Sequence, residues 1–387
     1  MKRRLGILLA SLFVALASTP AEARKFPLYN LSILLPLPSA LEDAMGLAAE
    51  GCRRPFLAPD LFAEIPALAP TRAPANTQYR DVRLVGIRFD LKADELRLVF
   101  QPLYVRNSPT PARRVFLGDD AAIHLFFRMP RADLIAAQRE LAVAFPGLAP
   151  DKLGVHPGIR GVADRAKLKR LLCDVAARSL FKVTFMNVRG GRILWNFGGF
   201  LVDESANGRR FRRDDVVIRN ADGIFRDPGD ANMSVQQVAR LRGGLRAQLR
   251  PRVNAGDHMM EIFDATSSLP MASVREIRRA VDRIENPRLN SPDTVDCASC
   301  HATESARFAV QRHVPQMPAS VDAYPLPAGY SLDESISPEV LANTINFRAF
   351  GYLDEAASIN RRVLNETVEM QRDADSLGAP DRFRARR

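Results

Sequence analysis

On either side of Arg189-Gly190-Gly191-Arg192 the chain alternates: Phe181, Val183 and Phe185 are interleaved with Lys182, Thr184 and Met186, and Ile193 to Phe197 follows the turn. A period of two puts every second side chain on one face of a strand, and a Gly-Gly pair supplies the positive backbone angles of a tight hairpin. This is the strongest hairpin signal in the chain. Similar patterning makes Val82 to Phe89, the stretch around Leu96, Leu98 and Phe100, Ala121 to Arg128, and Val216 to Arg219 further strands. Arg131 to Val143 reads as a helix. So does Ala163 to Ser179, where Leu168, Leu171, Leu172, Val175 and Ala176 recur at three- and four-residue steps and define a buried face.

The period changes after Arg226. Ser234-Val235-Gln236-Gln237 and Ser273-Val274-Arg275-Glu276 both have capping-box spacing, which predicts a helix start at each. The second helix carries Val274, Ile277, Val281 and Ile284 and should stop at Asn286-Pro287, because proline disfavours helix in the residue before it. A last helix is expected from Ser358 to Leu377, with Ile359, Val363, Met370 and Leu377 on one side. The chain therefore reads as α+β: a β-rich N-terminal lobe with a few helices, then a mostly helical C-terminal region. Its expected segments are a leader at 1–23, an irregular lead-in at 24–78 with one helix near Ser39 to Cys52, a mixed β/α lobe at 79–226, and the helical region at 227–387.

Lys2, Arg3 and Arg4 precede an apolar run from Leu5 to Ala17, and Ala21-Glu22-Ala23 offers small residues to a signal peptidase. That layout predicts a cleaved secretory signal and a periplasmic or otherwise exported product, with no transmembrane segment after cleavage. Of the four cysteines, Cys297 and Cys300 form a tight pair. Cys52 and Cys173 remain, and an oxidising compartment would join them; two buried thiols are the alternative. The formal net charge of +11, with arginine clusters at Arg209-Arg210, Arg212-Arg213 and Arg278-Arg279, suits an acidic redox partner or an anionic surface, or simply a solvated basic face. Export makes nucleic acid the weakest partner.

Asp296-Cys297-Ala298-Ser299-Cys300-His301 contains C-x-x-C-H. Here the chain resembles c-type cytochromes, over this motif alone. The resemblance implies one covalent haem c, with Cys297 and Cys300 as thioether attachments and His301 as the proximal iron ligand. Two intervening residues on an opening helical turn let both sulfurs face one haem edge while the next side chain points at the iron. Three other readings compete: a redox-active Cys-x-x-Cys, half of a zinc site, and a plain disulfide. The first expects a βαβ setting, and the second expects a closing ligand pair at spacing that His301 and His313 do not provide.

For the opposite axial position the sequence offers Met317, which sits in a Met317-Pro318 loop like that of class I cytochromes, or His313. His258, Met259, Met260 and Met370 are also available, although Met370 falls on an apolar helix stripe where a core methionine is the commoner reading. His124 and His156, in the β-rich region, read as structural histidines. No Gly-rich phosphate loop, Gly-x-Ser-x-Gly elbow or His-Glu-x-x-His motif occurs, and Asp119-Asp120 and Asp214-Asp215 read as solvated turns. The expected function is electron transfer through the haem. The alternatives are a haem-based sensor or enzyme with an open distal site, or a cell-envelope binding protein with an accessory haem.

Overall fold

The computed structural model describes residues 25–65, 79–107, 114–118, 121–189, 194–205, 208–213, 234–241, 244–246, 271–291, 295, 297–342 and 347–378. The expected leader, the expected strand at Val216 to Arg219, the Gly190-Gly191 turn, both Asp-Asp pairs and His258 to Met260 lie outside them.

The fold is α+β. In chain order the elements are α1 (Leu28–Leu31), β1 (Ser32–Leu34), α2 (Pro59–Glu64), β2 (Val82–Asp90), β3 (Glu95–Asn107), β4 (Arg114–Gly118), β5 (Ala122–Arg128), α3 (Arg131–Ala144), β6 (Lys152–Leu153), α4 (Val162–Ala176), β7 (Leu180–Arg189), β8 (Leu194–Ser205), β9 (Gly208–Arg213), β10 (Ser234–Leu241), β11 (Gly244–Arg246), α5 (Met271–Ile284), α6 (Cys297–His313), β12 (Ser331–Leu332), α7 (Pro338–Ala342), β13 (Phe350–Leu353), β14 (Ala356–Ile359) and α8 (Arg361–Gly378). Ten strands form one antiparallel sheet in the order β1-β2-β3-β5-β7-β8-β10-β11, with β4 on β3 and β9 on β8.

Four expectations change. The lead-in contributes β1 to the sheet, Ile33 opposite Ile87. Its expected helix near Ser39 to Cys52 is only a 3₁₀ turn at Leu41–Asp43: the backbone is extended again at Ala44, and Ala49 and Gly51 take positive φ angles further on. The Ser234 capping-box sequence starts a strand, not a helix: β10 pairs with β8, Ser234 opposite Gly199, and sheet pairing overrides the local cap signal. Strands from both sides of Arg226 thus belong to one sheet. Ser358 lies in β14, and the last helix starts at Arg361, where the Asn360 side chain accepts the Val363 N–H at 2.9 Å.

Alternation sends the two sets of side chains to different destinations. Ile87, Phe89, Leu96, Leu98, Ile123, Leu125, Phe127, Val183 and Phe185 join one continuous core with Leu61 of α2, Leu134 and Leu141 of α3, and Leu168, Leu172 and Val175 of α4. A disulfide between Cys52 and Cys173 fastens the lead-in to α4 on this side. The opposite face carries two smaller apolar clusters. One joins Met186, Trp195 and Phe197 to Val274, Ile277, Val281 and Ile284 of α5 and to Ala302 and Ala306 of α6. The other joins Val85, Val99 and Leu103 to α1, β13, β14 and α8. Helices on both faces explain why eight of the nine residues of β2 are buried. Among the described residues no helix is long and apolar enough to cross a membrane.

Candidate functional site

Between those two clusters the sheet carries polar residues. Register aligns Val99, His124 and Thr184 across β3, β5 and β7, and next to them Arg88, Arg97, Phe126 and Lys182 across β2, β3, β5 and β7. These side chains form the floor of a cleft. Cys297, Cys300 and His301 of α6 line it from above, with Val295, Ala349, Phe350, Arg362, Val363 and Glu366. The cleft encloses about 90 Å³ within an empty space of about 780 Å³ that opens to solvent.

The three motif residues meet here because α6 begins at Cys297. Positions i, i+3 and i+4 share one side of a helix, so Cys297, Cys300 and His301 fall on the same flank. Cys297 and Cys300 are not joined in a disulfide. Burial pushes the Cys300 thiol up, so it remains protonated. His301 Nδ1 lies 2.6 Å from the backbone carbonyl of Phe347. A carbonyl only accepts, so Nδ1 carries the proton and Nε2 is the unprotonated nitrogen, the one with the chemistry of a metal ligand. The Phe347 ring packs edge-on against Trp195, with centroids 4.6 Å apart, which fixes that carbonyl. Phe197 flanks the His301 ring at 5.0 Å.

Opposite His301 stands His124, its ring centroid 6.3 Å away at an interplanar angle of 30°. Burial, followed by the positive charges of Arg97, His301 and Arg88, holds the half-buried His124 imidazole well below its ordinary pKa and therefore uncharged. Glu366 on α8 binds Arg88 at 2.8 Å and Arg362 at 2.7 Å. Burial alone would raise its pKa, but Arg362, Arg88 and Arg97 outweigh burial and hold it at about 2. Arg97 pairs with Glu95 at 3.2 Å and lies 4.4 Å from the Phe126 ring centre. Gly86 allows the close approach of Phe350, since a Cβ there would come within 2.5 Å of its ring.

The other described histidine and methionine candidates sit elsewhere. His313 ends α6 twelve residues beyond His301, about 18 Å along the axis at 1.5 Å per residue. Met317 follows it and packs on the apolar cluster of α5 and α6. Neither lines the cleft. Met370 lines a separate cavity of about 340 Å³ beside Arg131 and Arg288. His156 is structural: its Nε2 faces the Asn30 Oδ1 at 3.0 Å, its Nδ1 accepts the Gly158 N–H at 3.2 Å, and burial lowers its pKa to about 4.

The donor set suits a haem more closely than a bare ion. Among the described residues no three His, Cys, Asp or Glu side chains gather as a metal ion's ligands would. The cleft instead offers two thiols, an oriented imidazole, apolar walls and guanidinium groups able to meet carboxylates. Sequence reasoning missed His124, Arg88, Arg97, Lys182, Arg362 and Glu366 as site residues. The alternation of Ile123, Leu125 and Phe127 does put His124 on the other face, but nothing local to β5 says what covers it. No family model, curated protein or solved structure matches the chain.

Proposed function

We propose that this chain is an exported one-electron carrier with a single haem c, held through Cys297 and Cys300 and ligated by His301. The observation that carries the reading is that one cleft gathers both thiols and an imidazole whose Nδ1 is already committed to the Phe347 carbonyl. A haem bound there would supply a reversible ferric/ferrous couple. As thiols, Cys297 and Cys300 retain the S–H groups that thioether attachment consumes. Val99, Phe126, Val295, Phe350 and Val363 give the cleft apolar walls that exclude water, and Arg88, Arg97 and Arg362 favour anionic carboxylates at its polar end. The cleft opens to solvent, as electron exchange with a partner protein would need.

The Cys52–Cys173 disulfide supports export, because such bonds persist in oxidising compartments. The positive net charge favours an acidic partner. The test is expression in a periplasm with a cytochrome c maturation system. The purified protein should keep its haem through denaturing electrophoresis and acid-acetone extraction. Cys297→Ala and Cys300→Ala should each weaken retention, and the double variant should abolish it. Protein that is colourless and binds zinc would defeat the proposal.

A further inference from the structure

We propose that His124, a residue of the sheet, is the second axial ligand of the haem iron, opposite His301. The inference rests on the haem reading above. With a metal–imidazole bond of roughly 2 Å and a ring nitrogen roughly 1 Å from its ring centre, two imidazoles on opposite sides of one metal place their centres about 6 Å apart. The His124 and His301 centroids are 6.3 Å apart. Rotation about a shared axis tolerates any angle between the ring planes, so the observed 30° is compatible.

A plain ring contact can have the same spacing. Two further features favour ligation. The Phe347 carbonyl takes the Nδ1 proton of His301, the arrangement that metal-ligating histidines share. Among the described residues the His124 ring makes no hydrogen bond, although it lies on a strand paired on both sides, with Val99 on β3 and Thr184 on β7. That double pairing makes His124 a rigid ligand, unlike a loop methionine. Among the described residues no other histidine or methionine lines the cleft. Ligation from both sides would fill the coordination sphere with side chains and close it to small exogenous ligands.

The experiment uses full-length holoprotein, with covalent attachment first verified by haem staining. The wild type should be low-spin in both oxidation states, lack the long-wavelength sulfur-to-iron band of methionine ligation, and fail to bind carbon monoxide. His124→Ala should keep its covalent haem, become high-spin and bind carbon monoxide, and added imidazole should restore the low-spin spectrum. His124→Met should stay low-spin, gain the sulfur band and shift the potential upward. His313→Ala and Met317→Leu should leave the spectra unchanged. A low-spin, carbon-monoxide-inert His124→Ala, or a His124→Met variant with the wild-type spectrum, would overturn the assignment. Rapid carbon monoxide binding by the wild type would overturn it too. Lack of covalent haem in the wild type would instead defeat the attachment reading, and the inference with it.

Discussion

The two faces of the sheet are covered in different ways. Under α2, α3 and α4 lies a single apolar core, strapped by the Cys52–Cys173 disulfide. Under α5, α6 and α8 the apolar contacts split into two clusters, and the gap holds His124, Arg88, Arg97, Lys182, Arg362 and Glu366. Burying charge costs stability unless each group is paired, so the second face is the less economical way to cover a sheet. The proposed chemistry lies there, and the first face supplies the rigidity that holds His124 in register.

The comparison breaks most visibly under large perturbations. Phe127→Ala, in the continuous core, should cost about 3–5 kcal/mol of unfolding free energy in denaturant titration and leave the spectrum of the proposed haem unchanged. Glu366→Ala should cost a similar amount, about 3–5 kcal/mol, because it leaves Arg88 and Arg362 buried without their carboxylate. The two should differ in pH dependence. The folded-state pKa of Glu366 is depressed from its ordinary 4.5 to about 2, so its stabilisation is present above 4.5 and lost as pH falls toward 2. Glu366→Gln should flatten that acid limb, whereas Phe127→Ala should shift the whole curve without reshaping it.

Removing the disulfide by Cys52→Ser with Cys173→Ser should cost about 2–5 kcal/mol and again leave the cleft's spectrum intact, as thermal melts of oxidised holoprotein would reveal. A smaller effect belongs to His156. Its pKa falls from 6.5 to about 4 on folding, so stability is full above 6.5 and declines by up to about 3 kcal/mol as pH drops through 4. His156→Gln should lessen that slope in pH-dependent unfolding. Least of all, Met317→Leu should change stability by less than about 1.5 kcal/mol, as expected of a volume-conserving swap in an apolar cluster.

What could be read in advance follows the range of the interactions. The pairing of β7 with β8, the strands β2, β3 and β5, and the buried stripes of α4 and α5 are all written in local periodicity, and the motif at Cys297 announces itself by spacing. The Ser234 segment became β10 because the edge of β8 was there to receive it, a fact outside its own window. His124 was assigned a structural role for the same reason. Its strand was legible, but its neighbour in the cleft lies on a helix that starts at Cys297. Met317 reads as a ligand candidate from its Met317-Pro318 loop, whereas α6 carries the chain away from His301 before it and Met317 packs on the cluster of α5 and α6.

The placement of the covering helices has a consequence for biogenesis. α3 and α4 fall between β5 and β7 in the chain, so one side of the nascent sheet acquires its roof as soon as it is made. On the other side only the short α1 is made early, and the rest of the cover waits until the chain has passed Met271, where α5 begins. In that interval a half-covered sheet is exposed to chaperones, proteases and other unfinished chains. The row Arg88, Arg97 and Lys182, with His124 beside it, runs down the middle of the waiting side and divides its apolar flanks into two patches. On a half-covered sheet, the residues that furnish the cleft would interrupt the exposed apolar surface, and smaller patches invite less non-specific association.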